Sequence, residues 1–120
     1  MKAIAVAMIL VASSGQPFVI DGDTLAFGHE RVRIANLDAP EVGRNARCRL
    51  EQRRGEAALV YARELIRGSS SVEVVDVQRI DRFGRIVASV LVDDRDFSRL
   101  MIEAGHARVW RGRPSNWCAE

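Results

Sequence analysis

Between Phe18 and Trp110 the chain is cut into short β-prone runs by tight turns, and only one stretch is periodic over enough residues for a helix of several turns. Phe18 to Ile20 reads as a strand, broken by the hairpin signal Asp21-Gly22-Asp23, with Thr24 to Phe27 as its partner. Gly28-His29-Glu30 turns the chain into a third run, Arg31 to Leu37, where Val32, Ile34 and Asn36 share a face and which Pro40 ends. Residues 41–50 are polar and arginine-rich and read as a loop. Residues 51–67 then carry Ala57, Tyr61 and Leu65 at helical spacing, flanked by Ala58, Ala62 and Ile66, with Gly68 expected as a left-handed cap. Val72 to Val77 and Ile86 to Val92 are two further strands around the turn Asp81-Arg82-Phe83-Gly84. Asp96 can cap a short second helix with Phe97, Leu100, Met101 and Ala104 on one face, stopped by Gly105, and Ala107 to Trp110 is a last extended stretch.

Three strands, a helix, two strands and a second helix predict an α+β domain. Its expected form is a small closed β-barrel with helices, a five-stranded Greek-key barrel of the oligonucleotide-binding (OB) type with one main helix and one short second helix. A length of 120 residues suits one domain with one core. The formal charge of +2 leaves partners open, but apart from Lys2 every basic side chain is arginine. The planar, permanently charged guanidinium pairs with phosphate in a bidentate way that lysine cannot. A codon bias would give the same composition, so position matters more than count.

The N-terminus has the order of an export signal: a basic start at Met1-Lys2, an apolar run from Ala3 to Ala12, then Ser13, Ser14 and Gly15. The expectation is a signal peptide over residues 1–14 and a domain over 15–120, with the mature protein periplasmic or secreted and not stably membrane-associated. A buried first strand is the competing reading. The apolar run is too short to span a bilayer. Export permits a disulfide between Cys48 and Cys118, which would tie down the C-terminal tail, although sequence alone leaves that pairing open.

Several charged residues fall at turns and strand ends instead of on periodic faces. Asp23 follows the first hairpin turn, Asp38 and Glu41 follow the third strand, Arg33 precedes Asp38, and Arg85 follows the Phe83-Gly84 turn. Carboxylates drawn from separate loops suit a hard divalent cation, which takes oxygen ligands in flexible geometry. Phosphodiester hydrolysis needs a base toward water and cations that offset charge at phosphorus. Taken singly, each residue also has an ordinary role as a turn former or a solvated surface charge.

Three segments in register change that balance. Val19-Ile20-Asp21-Gly22-Asp23-Thr24, Arg33-Ile34-Ala35-Asn36-Leu37-Asp38-Ala39-Pro40-Glu41 and Asp81-Arg82-Phe83-Gly84-Arg85 resemble the signature segments of the thermonuclease (staphylococcal nuclease) family. Gly55-Glu56-Ala57-Ala58 and Glu103-Ala104-Gly105-His106-Ala107 are also similar to it, so the resemblance covers residues 17–111. It implies an OB barrel and Ca2+-dependent endonuclease hydrolysis of DNA and RNA at the 5′ P–O bond, leaving 3′-phosphates. Asp23 and Asp38 would ligate calcium with the Ala39 carbonyl, and Asp21 would stand behind them, holding the turn and metal-bound water. Glu41 would be the general base, or act electrostatically, while Arg33 and Arg85 clamp the phosphate.

Arg82, Phe83 and Trp110 are the expected substrate contacts. Phe83 stands where the family often has tyrosine, losing a hydroxyl but keeping a ring that stacks on a base. The family's aromatic wall is altered near Trp110 and Arg111, where Trp110 or Trp117 could replace it. The family's C-terminal helix is expected to be missing. Arg44, Arg47, Arg49, Arg53 and Arg54 form a basic stretch that either tracks a polynucleotide backbone or is merely solvated. The expected substrate is single-stranded or frayed DNA or RNA, and the expected state is a monomer. The competing function is a non-catalytic nucleic-acid-binding module on the same barrel, although such a binder has no need for Glu41.

Overall fold

Alternation of apolar and polar residues builds the sheet. The computed structural model describes residues 16–119, so the expected signal peptide, residues 1–14, lies outside the described residues. Strands β1 (Phe18–Asp21), β2 (Thr24–Phe27) and β3 (Glu30–Ile34) form an antiparallel meander. Strand β6 (Ile86–Val92) joins β3 in parallel, and β5 (Val72–Ile80) pairs antiparallel with β6 on its far side. The resulting order, β1-β2-β3-β6-β5, gives the five principal strands expected from the sequence. Val32 and Ile34 are fully buried, whereas Arg31 and Arg33 alternate onto the other face of β3.

The sheet curls around one core that includes Val19, Leu25, Val32, Ile34, Val90 and Phe97. Among the described residues no pairing joins β1 to β5, so the sheet is a half-barrel instead of a fully closed one. The main helix, α1 (Arg49–Arg67), packs on β1. A short strand β7 (Arg95–Asp96) leads into α2 (Phe97–Glu103), whose Asp96 cap accepts the Ser98 N–H as expected. Phe97 and Met101 face the core, and Gly105, at φ 81°, ends that helix by entering the left-handed region. No helix among the described residues is long and apolar enough to cross a membrane.

Four local expectations are corrected. The third run does not continue to Leu37: β3 stops at Ile34, and exposed Asn36 turns the chain at φ 62°. Leu37–Asp38 then forms its own short strand, β4, paired with β8 (Arg108–Val109). The inward stripe of α1 is Gly55, Ala58, Ala62 and Ile66, while Ala57 is exposed and Tyr61 and Leu65 are half-buried. Gly68 caps α1 at φ −82°, not in the left-handed region, with its N–H donated to the Glu64 carbonyl. Finally, β5 extends to Ile80, beyond the Val77 limit of its apolar run, through a bulge between Val75 and Arg79 where Asp76 has φ 51°.

Candidate active site

One cleft of about 360 Å³ collects the side chains of Asp21, Asp23, Arg33, Asp38, Glu41, Arg85 and Trp110. Its construction follows from the ladders. The β1–β2 turn carries Asp21 and Asp23, and the Asp21 carboxylate accepts the Asp23 N–H at 3.0 Å, which fixes the turn. Gly22 lets that turn settle against the β4 segment, since a Cβ there would stand 2.7 Å from the Ala39 Cβ. Arg33 pairs across the ladder with Thr24, next to Asp23, and the parallel β3–β6 register opposes Val32 to Ile86, bringing Arg85 to the same end. Asp38 is fixed by β4, whose partner in β8 is Arg108.

Asp23 and Asp38 are both buried. The Asp23 carboxylate accepts the Ala39 N–H at 3.1 Å and the Thr24 hydroxyl at 3.1 Å, with the Arg33 guanidinium 3.6 Å away. Burial, and then the neighbouring Asp21 charge, push its pKa up to about 7, although Arg33 opposes the shift. Burial also raises Glu41, helped by the charges of Asp23 and Glu51 and resisted by Arg33 and Arg47. A carboxylate raised in this way is a stronger base than an ordinary glutamate. The Asp38 carboxylate accepts the Ser115 N–H at 2.7 Å.

Glu51 is fully buried and was not foreseen. Its carboxylate accepts the Glu41 N–H at 3.0 Å, the Arg47 N–H at 2.9 Å, and the Arg47 guanidinium at 3.0 and 3.1 Å. Burial alone would raise its pKa, but these donors reverse the effect and hold it at about 2. The available signals were a glutamate in the first turn of α1 and its spacing of four from Arg47. Gly55, one turn further on, lies so close to the Glu41 carbonyl that any Cβ would collide with it. The Glu41 loop is therefore gripped from both sides by the start of α1.

The cleft does not gather every expected contact. Ala39 is buried behind it, and Arg82 and Phe83 lie outside it on the exposed β5–β6 turn. That turn is still linked to the site: Arg85 lies 5.3 Å from the Phe83 ring, and Arg31 donates to the Phe83 carbonyl at 3.1 Å. Of the two tryptophans, Trp110 lines the cleft with Arg33 at 5.9 Å from its ring, whereas Trp117 is buried elsewhere. Sequence reasoning missed Arg31, Asn45 and Pro114 as lining residues. In the basic stretch, Arg47 serves Glu51, and Arg54 donates to the Trp117 and Ala119 carbonyls at 2.8 Å. Arg44, Arg49 and Arg53 are exposed. Cys48 and Cys118 form a disulfide with Cα atoms 6.1 Å apart, closing the alternative that the sequence left open.

The donor set fits a hard cation. Two buried carboxylates, one on the β1–β2 turn and one on β4, share one cleft, and a cation there would offset the cost of burying their charge. Among the described residues no group of three or more His, Cys, Asp or Glu side chains gathers at metal-holding distance. A cation held there would need oxygen ligands besides these two carboxylates.

The family described as "Staphylococcal nuclease homologue" matches residues 31–118. The chain is 28% identical over 137 aligned positions to "Succinoglycan biosynthesis protein ExoI" of Rhizobium meliloti (strain 1021), covering 88% of this chain and 68% of that protein. It is 32% identical over 95 residues to "SPbeta prophage-derived endonuclease YokF" of Bacillus subtilis (strain 168), covering 75% of this chain and 31% of that protein. It is 33% identical over 95 residues to "Endonuclease YncB" of the same organism, covering 75% of this chain and 44% of that protein. This chain therefore spans less than half the length of the two endonucleases.

Proposed function

The chain belongs to the staphylococcal nuclease homologue family, and from that premise we propose that it is an exported, calcium-dependent nuclease that hydrolyses phosphodiester bonds in DNA or RNA. One observation carries the reading: Asp21, Asp23, Asp38, Glu41, Arg33 and Arg85, distant along the chain, line a single cleft. The endonuclease names of two relatives accord with it.

In this reading Asp23 and Asp38 would hold the ion through their carboxylates, with the Ala39 carbonyl as a further oxygen donor. When bound, calcium would supply positive charge that offsets the charge of the phosphate. Glu41 takes a proton from the attacking water, a task suited to a carboxylate whose pKa burial has raised. Arg33 and Arg85 grip the phosphate oxygens and offset the charge that grows as the water attacks phosphorus. The 5′ P–O bond then breaks and leaves a 3′-phosphate. Trp110 beside the cleft, and Phe83 with Arg82 on the neighbouring turn, offer stacking surfaces for bases that are not paired, which favours single-stranded or frayed substrate. The protein acts as a monomer in the periplasm or outside the cell, a setting in which the Cys48–Cys118 bridge persists.

The test is a digest of denatured DNA and of RNA with calcium, with and without a chelator, reading the chemistry of the product ends. Calcium-dependent fragments ending in 3′-phosphate are expected. Cutting that survives the chelator overturns the calcium mechanism, and retention of nucleic acid without cutting makes the protein a binding module.

A further inference from the structure

We propose that the C-terminal tail, Ser115 to Cys118, is a positioning element of the cleft, and that the Cys48–Cys118 disulfide keeps it in place, so that calcium binding depends on the chain being oxidised. The inference rests on the functional reading above for the role of Asp38. It adds the tail and its redox state as determinants of the site.

The tail touches both halves of the site. The Ser115 main-chain N–H donates to Asp38 Oδ2 at 2.7 Å, the shortest hydrogen bond made by any of the site carboxylates. It fixes the orientation of that buried side chain and leaves Oδ1 free of it. The Ser115 carbonyl in turn accepts Arg47 Nη2 at 3.3 Å, from the same guanidinium that holds Glu51, whose carboxylate holds the Glu41 N–H. The tail thus orients Asp38 directly and meets the support of Glu41 through one arginine.

The tail is not part of the sheet and is held by side chains of distant segments. Trp117 is buried under the Arg108 guanidinium, 4.2 Å from its ring, and Arg54 takes the Trp117 carbonyl. The covalent tie is Cys118 to Cys48, the N-cap of α1, whose sulfur accepts the Glu51 N–H. Cys48 is thus joined at once to the tail and to the turn that carries Glu51. Thiol–disulfide exchange with a dithiol opens this tie: the reductant gives two electrons and two protons, two thiols form, and the reductant closes into its own disulfide. The Ser115 donor is then held only by non-covalent contacts.

The experiment measures calcium affinity of the full chain by calorimetry before and after dithiothreitol, counting free thiols and following the fold by circular dichroism. Protection of the Ser115 amide against hydrogen exchange is read in the metal-free protein. Reduction is expected to weaken calcium binding about three- to tenfold, because the Asp38 side chain must then be ordered as the ion binds, and to remove that protection. Ser115→Pro, which deletes the N–H and leaves both cysteines, is expected to weaken binding similarly in the oxidised chain, and Ser115→Ala, which keeps the N–H, to restore it. Affinity within twofold after two thiols are counted, or wild-type affinity in Ser115→Pro, overturns the inference. If reduction unfolds the chain, Ser115→Pro decides. If the oxidised wild type binds no calcium, the functional reading fails instead, and amide protection alone decides whether the bridge holds the tail.

Discussion

Replacing Glu51 by glutamine tests whether the start of α1 holds the Glu41 loop by charge. The wild-type carboxylate accepts four hydrogen bonds, two at each oxygen, from the Glu41 N–H, the Arg47 N–H and the Arg47 guanidinium. A glutamine amide keeps one acceptor oxygen and turns an NH2 toward the other pair of donors, so two bonds to a charged acceptor are lost. Each contributes about 1.5–3 kcal/mol. The Arg47 side chain is 49% exposed and regains water, which lowers the combined loss to about 2–3 kcal/mol. For a domain of this size that is a fall in Tm of roughly 10–20 °C.

The pH dependence gives a sharper check. The folded pKa of Glu51, about 2, lies below its ordinary value of 4.5, so its stabilisation is present above 4.5 and is lost as pH falls through about 2. Thermal unfolding of oxidised wild type and Glu51→Gln from pH 7 to pH 2 should show a gap that is full at neutral pH and closes in acid. A gap below 2 °C at pH 7, or one unchanged down to pH 2.5, refutes the assignment.

Three further outcomes follow from the same geometry. Gly55→Ala would ordinarily stabilise a helix interior, but here the Cβ collides with the Glu41 carbonyl, so stability falls by about 1–3 kcal/mol and turnover by at least tenfold, read by melting and by digest. A more stable, fully active variant contradicts that packing. Glu41→Gln and Arg85→Ala lower turnover by at least ~100-fold while the circular dichroism spectrum and calcium affinity stay close to wild type, and near-normal rates remove their assigned roles. Asp23, with its pKa raised to about 7, favours the fold when protonated, so its benefit is present at low pH and is lost as pH rises through 7. Calcium competes with that proton, so affinity by calorimetry should be about tenfold weaker at pH 6 than at pH 8. Asp23→Asn should bind no calcium yet melt no lower than the metal-free wild type at pH 8, and a clear loss of Tm there would contradict the burial cost.

The parts legible in the sequence are those set by neighbours a few residues away. Asp21-Gly22-Asp23 encodes a hairpin because its turn and its side-chain bond are local, and Asp96 caps α2 for the same reason. Hidden from the sequence were features decided by distant groups. The inward face of α1 is rotated away from the Tyr61 stripe because Gly55 admits the Glu41 carbonyl and Glu51 reaches under the loop. The β3 run breaks after Ile34 because Leu37 and Asp38 find partners in Val109 and Arg108, far along the chain. Convergence of the acidic and arginine residues was visible only through resemblance, since no periodicity links Asp23 to Arg85. The disulfide partners were obvious as residue types, but their approach required the fold.

Arg33 and Arg85, proposed above to grip the phosphate, are each already engaged. Arg85 donates its Nε to Asp81 Oδ2 at 2.8 Å, and Asp81 is in turn fixed by the Phe83 and Arg85 N–H groups, which outweigh its burial and hold its pKa low. Arg33 donates Nη1 to the Ile34 carbonyl at 2.8 Å. A guanidinium has five N–H donors in a rigid plane, so each of these bonds uses one edge and leaves others for a ligand. The engagement therefore orients the clamps without exhausting them, and it lowers the entropy lost when a phosphate arrives. Arg33 alone also stands near Asp23, at 3.6 Å, where it offsets part of the carboxylate repulsion. On the proposed function, a cation held by Asp23 would take over that work and leave Arg33 to the phosphate, so that ion binding and substrate binding would be coupled through a single side chain.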